Sequence, residues 1–313
     1  MTLPYKGTAR IPGPLGGTSN TGRGRAPGPV GGVLWDKKTN TPPQTAVKAA
    51  PKKTVMPTPT SDQDSRDVHV VLWPLFGPKS PAIEDIQQAP GIANCPVASI
   101  LAALAFTASG RNYLQKLVTE TVAATITDLS SLKSSQLVNP PANMTVSSSR
   151  YFTVKLPGGS DVEVSDVLYT NDADRNWSVF YLRDPREQAL WGPIIEKALA
   201  VRLGGYENFD ALNLSANDFF EKITGAKPGG FPIKADTPLS DITDAAKAAT
   251  RVPTIGASKP DSKDVKVVSE FHGHTMLGMD GAKIKLYDPA KAKTLTISPA
   301  DFKHDFQAIL FWK

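Results

Sequence analysis

A chain of 313 residues with 40% hydrophobic and 21% charged side chains is long enough to bury a core and too apolar to be disordered throughout. Its single cysteine excludes an intrachain disulfide and a cysteine-rich zinc site. The net charge of +5 invites a nucleic-acid reading, so the location of that charge has to be settled.

Residues 1–66 hold ten prolines, nine glycines, ten Lys+Arg and three Asp+Glu, which gives them +7 and leaves −2 on the rest. Such a segment cannot bury enough apolar surface to offset its ordering entropy, and it reads as a disordered basic tail or linker. Trp35 stands nearly alone there, without the interleaved aromatics on which bases stack, so a soluble spacer is favoured over a nucleic-acid arm. The tail has no continuous apolar core of a secretory signal. The longest apolar stretch, residues 97–108, is 12 residues long, short of the roughly 20 that span a bilayer. The expected location is the cytoplasm, or outside the cell by a route without a classical signal peptide. Residues 67–313 read as one folded domain.

The first strong element follows Asn94-Cys95-Pro96. Apolar positions at 97, 100, 101, 104, 105 and 108 predict a helix, with Pro96 in its first turn and Gly110 as its stop. Cys95 then lies at a helix N-terminus, where free N–H groups and the helix dipole favour an anion, and where thiol hydrolases place a nucleophile. Taken alone, a lone cysteine is more often a small core residue.

Trp191, Ile194, Ile195, Ala198 and Leu199 predict a second, buried helix that carries no chemistry of its own. Ser215 and Asp218 before Phe219-Phe220 form a capping box. Near the C-terminus, Asp280-Gly281 between apolar runs predicts a hairpin. A two-residue loop would pair His274 with Tyr287. A three-residue loop, 280–282, would pair His274 with Asp288, Met276 with Leu286 and Gly278 with Ile284. The second register is preferred, because it sets a carboxylate beside an imidazole, fixing its tautomer and stabilising its charged form. His272 points the same way and is the rival base. Two histidines at i, i+2 could bind a metal, but no third ligand at a recognisable spacing accompanies them, so neither a metal nor another cofactor is expected.

Three segments together resemble the calpain-type cysteine proteases of the papain-like superfamily. The first is Asp85-Ile-Gln-Gln followed by Asn94-Cys95-Pro-Val-Ala-Ser-Ile-Leu-Ala-Ala-Leu-Ala. The second is Leu190-Trp191 with Glu196-Lys197-Ala198, running on to Tyr206 and to Ile223-Thr224-Gly225. The third is His274 with Tyr287-Asp288-Pro289. The resemblance covers about residues 68–313. It implies an α+β papain-like fold, with a helical lobe beginning near Cys95 and an antiparallel β lobe near 251–313. It implies a thiol endopeptidase acting on protein substrates through an acyl-enzyme. Carried over, Cys95 is the nucleophile, His274 the base and then acid, Asp288 its orienting partner in place of the usual Asn, and Gln88 the oxyanion donor.

This chain departs from the family pattern at several points. Gln88 stands seven residues before Cys95 instead of six, which leaves Gln87 open by position. Pro96 replaces the aromatic after the nucleophile, and Ala290 replaces the tryptophan after the Asx-Pro pair. Calcium-binding loops are not recognisable. The departures keep two other expectations in view: a transglutaminase- or deamidase-like enzyme acting on side-chain amides, and a catalytically dead binding module.

Overall fold

The computed structural model describes residues 56–57, 67–71, 73–89, 92, 94–122, 150–171, 178–212, 214–260 and 271–313. The expected tail, apart from Met56 and Pro57, lies outside the described residues. Helices and antiparallel sheets are interleaved along the chain, an α+β arrangement. In chain order the elements are β1 (Asp67–Val70), α1 (Cys95–Phe106), α2 (Ala108–Leu117), β2 (Val118–Val122), β3 (Arg150–Val154), β4 (Val162–Ser165), β5 (Val167–Asn171) and β6 (Ser178–Val179). They continue with α3 (Trp191–Leu203), α4 (Asn208–Ala211), α5 (Ala216–Thr224), β7 (Gly229–Pro232), α6 (Leu239–Ala248), β8 (Thr254–Ser258), β9 (Gly273–Asp280), β10 (Lys283–Asp288), β11 (Lys293–Ile297), α7 (Pro299–Asp305) and β12 (Phe306–Phe311).

Helix α1 is buried on nearly every side, from Val97 through Ala105. It ends one turn earlier than its apolar pattern predicts. Thr107 is extended (φ −94°, ψ 151°) and caps α2 by accepting from Gly110 N at 3.2 Å. Gly110 is therefore not a stop. A Cβ there would lie 2.2 Å from the Leu104 carbonyl oxygen, so only glycine lets α2 fold back this closely. Arg111 covers the exposed end of α1, donating to Ala105 O at 3.2 Å and Phe106 O at 2.8 Å. The capping box at Ser215 forms, with Asp218 Oδ2 accepting from Ser215 N at 2.8 Å.

A six-stranded sheet runs in the order β11-β10-β9-β8-β12-β7. Its strands come from 254–311, with β7 added at one edge from further upstream. Two small sheets, β1-β5-β6 and β2-β3-β4, complete the strand set. One apolar cluster joins α1, α3, α5 and the small sheets; a second fills the space between the large sheet and α6 and α7, through Ile242, Met276, Ile284, Leu286, Phe302 and Phe306. The large sheet is thus sandwiched, with α1 packed on β9 from one side and α6 from the other.

The β9–β10 hairpin starts in neither expected register and reaches the preferred one only beyond a bulge. Asp280 pairs with Lys283 across a two-residue loop, and Gly281 takes φ +57°, which the turn requires. A bulge then shifts the register, so that Met276 faces Leu286 and Thr275 faces Tyr287. Gly278 faces Lys285 instead of Ile284. Beyond the bulge the register is the preferred one, and it leads His274 toward Asp288.

Candidate functional site

Cys95 is the first residue of α1, with Pro96 in the first turn. Its side chain is buried. The preceding residue, Asn94, does not cap the helix with its side chain. Its amide instead donates to the fully buried Glu196 of α3, whose other oxygen accepts from Leu182 N at 2.8 Å. Burial raises Glu196 to about 7, against those two hydrogen bonds. The start of α1 is therefore pinned by a carboxylate from a different part of the chain. Next to it in sequence, buried Lys197 donates to Val167 O at 2.6 Å and Ser165 O at 3.1 Å, while burial lowers it to about 7. The α3 helix thus carries a polar function that its helix-spaced apolar residues did not announce.

Strand β9 meets α1 through its odd-numbered positions. Thr275 Oγ1 donates to Ser99 O at 2.8 Å, and a Cβ at Gly273 would lie 2.5 Å from Ser99 Oγ and 3.2 Å from Cys95 O. Alternation then carries His274 to the opposite face, where its ring packs edge-on against Phe306. His272 lies just before the strand and escapes that alternation. The preceding Phe271 holds φ +45° and turns its carbonyl toward Cys95 Sγ, at 3.8 Å. Ser258 grips the His272 backbone from both sides: His272 N donates to Ser258 Oγ at 2.8 Å, and Ser258 N donates to His272 O at 2.9 Å.

This arrangement gives the contact with the thiol to His272, not to His274. His272 Nε2 lies 2.9 Å from Asp288 Oδ1, and the ring sits close enough to Cys95 for the two to interact electrostatically, while the thiol itself donates to Phe271 O at 3.8 Å. Burial pushes the ring toward neutrality, but the hydrogen bond to Asp288 and the charges of Asp288 and Cys95 prevail and raise it to about 9. His274 is fully buried, 4.0 Å from Asp288 Oδ2, and neither ring nitrogen has a hydrogen-bond partner among the described residues. Burial first, then the adjacent His272 charge, lower it to about 3. The expected base is thus placed as a neutral imidazole, and the rival takes its contacts.

Asp288, at the end of β10, faces both histidines. Oδ1 also accepts from Ala290 N at 2.9 Å, and Lys291 Nζ lies 3.1 Å from Oδ2. Burial would raise this carboxyl; the hydrogen bond and charge of His272, with His274 and Lys291 behind them, hold it well below the usual carboxylate range.

Gln88 is brought beside the site by its backbone, donating from N to Pro289 O at 2.9 Å, next to a Tyr287 hydroxyl that donates to Ile86 O. Its side-chain amide is directed to Ile92 O. Gln87 is bound away from the site: its backbone bridges Arg183, and its Oε1 accepts from Arg183 Nε at 3.1 Å. Of the four residues that sequence reasoning selected, Cys95 and Asp288 are brought together through His272. His274 lies one ring further in, and Gln88 is adjacent through main chain. His272 was missed because Phe271, at φ +45°, breaks the alternation just before β9 and separates His272 from His274, a break that no residue pattern in the sequence marks. No protein-family model matches the sequence, and no curated protein matches it.

Proposed function

We propose that this chain is a thiol peptidase of papain-like architecture, akin to the calpains, in which Cys95 is the nucleophile, His272 the base and then acid, and Asp288 the group that orients His272. The observation that carries this reading is one imidazole hydrogen-bonded to a buried carboxylate and electrostatically coupled to a thiol at a helix N-terminus. The chemistry follows from the geometry. His272, raised to about 9, holds the proton as an imidazolium while Cys95 attacks a substrate carbonyl as the thiolate, and Asp288 stabilises that imidazolium. His272 then returns the proton to the leaving amine, and water, deprotonated by the same ring, releases the acyl group. In the first turn of α1, where Pro96 has no N–H and Ala98 N bonds Asn94 O, the N–H groups of Cys95 and Val97 can face the developing oxyanion. The Gln88 amide joins them only after leaving the Ile92 carbonyl.

The supported reaction is hydrolysis of a carboxamide in a protein substrate. The test is cleavage of an unfolded protein such as casein by the full chain, with Cys95→Ala as the comparison. Fragments from the wild type and none from Cys95→Ala are expected. Ammonia release without fragments would turn the reading toward side-chain amides, and neither product would sink it.

A further inference from the structure

We infer that His272, His274 and Asp288 form a binding site for a divalent zinc ion, and that the ion closes the thiol centre by occupying its base. The inference rests on the proposed triad for its consequence, but not for the site itself. One ligand atom from each of the three residues lies within 4.8 Å of the others, and all three residues are buried. The sequence offered only two histidines; the hairpin supplies the third ligand. Ligands around a tetrahedral zinc at about 2.0–2.2 Å stand roughly 3.3 Å apart, so closing this cluster takes a shift on the order of 1 Å.

The second, independent observation is His274. A fully buried imidazole with neither nitrogen hydrogen-bonded is costly and calls for an explanation. The thiol chemistry has no use for it. Two unpartnered ring nitrogens on a buried imidazole are, however, what a metal ion can use. Two imidazoles and one carboxylate suit zinc and its neighbours in the first transition row, and are too rich in nitrogen for calcium or magnesium. The charged groups facing the cluster are Lys291, whose ammonium is 3.1 Å from Asp288 Oδ2, and the Cys95 thiol against His272. Lys291 is about half exposed and can turn into solvent when an ion takes its place. Zinc on His272 Nε2 replaces the proton that this nitrogen shares with Asp288. With Nε2 metallated and Nδ1 carrying the ring's remaining proton, His272 can no longer accept the thiol proton or become an imidazolium stabilised by Asp288, and the peptidase stops.

The experiment uses the full chain, freed of metal by a chelator, with zinc chloride titrated by calorimetry at neutral pH. One ion per chain is expected. His274→Gln removes one of the three ligands and should weaken binding by at least about 100-fold, since loss of a mere supporting group already costs about 10–100-fold. One equivalent of zinc should also slow alkylation of Cys95 at least tenfold, and a chelator should restore it. Zinc-edge X-ray absorption on the unaltered protein covers the case in which the variant does not fold: two imidazole ligands are expected, and fewer than two overturns the site. Absence of binding, or binding that His274→Gln leaves unchanged, also overturns it. If Cys95 resists alkylation in the metal-free protein, the triad fails while the titration still reads the metal site.

Discussion

The sharpest prediction separates the two histidines. Replace His272 or His274 by Gln, and measure the rate at which iodoacetamide alkylates Cys95 in metal-free protein from pH 5 to 10. Moving an imidazole from 6.5 to about 9 corresponds to about 3 kcal/mol in favour of its charged form. His272 is nearly buried, so solvent screening removes little of this. The figure corresponds to a factor of a hundred or more in the imidazolium available beside the sulfur. His274, held at about 3, is almost never charged at neutral pH and has no hydrogen bond through which to accept the thiol proton. His272→Gln should therefore slow alkylation at pH 7 about 100-fold and leave a profile that rises only as a free thiol ionises, above about pH 8. The loss in His274→Gln should be far smaller, provided that circular dichroism shows both variants folded. A loss in His274→Gln equal to or larger than that in His272→Gln would refute the reasoning.

Two further outcomes follow from the groups around the triad. Burial raises Glu196 to about 7 in the folded chain from an ordinary 4.5, so its contribution to stability is whole below about pH 4.5 and is lost as pH rises through 7. Glu196→Gln should flatten that part of the stability curve in urea denaturation, whereas Glu196→Ala, which strands Asn94 and Leu182 N, should cost about 2–4 kcal/mol. Gly273→Ala should cost about 1–3 kcal/mol and slow Cys95 alkylation by forcing β9 off α1, since its Cβ would meet both Ser99 and the Cys95 carbonyl; an unchanged urea midpoint would contradict the packing.

Much of the local structure could be read from the sequence, because local rules govern it. Pro96 and the apolar run place Cys95 at the start of α1. The Asp280-Gly281 signal marks the hairpin, whose turn is Gly281-Ala282, and Ser215 with Asp218 makes the cap. The failures occur where two distant segments must be placed together. The end of α1 depends on how tightly α2 folds back at Gly110, and no single-helix pattern carries that. The Asn94–Glu196 contact joins residues 102 positions apart, beyond the reach of any local rule. The strand β7 joins the large sheet from upstream of α6, where four residues with two glycines give no periodic signal.

The choice between His272 and His274 has the same origin, and it shows why facing pairs alone do not define a site. The bulge in β9 restores the register that leads His274 toward Asp288, so the cross-strand reasoning was sound as far as it went. Contact with the nucleophile, however, is decided by the other face of β9, on which α1 lies. One carboxylate then serves two rings. It can stabilise a full positive charge on only one of them, because the second ring, 4.8 Å away centre to centre, would be charged against the first. The ring that also touches the thiol takes the proton, and the deeper ring must stay neutral. The arrangement that gives His272 its place beside the thiol also leaves His274 as a buried imidazole with neither nitrogen partnered among the described residues, a group that a cation can use. A sequence with one histidine at this hairpin would offer only the first.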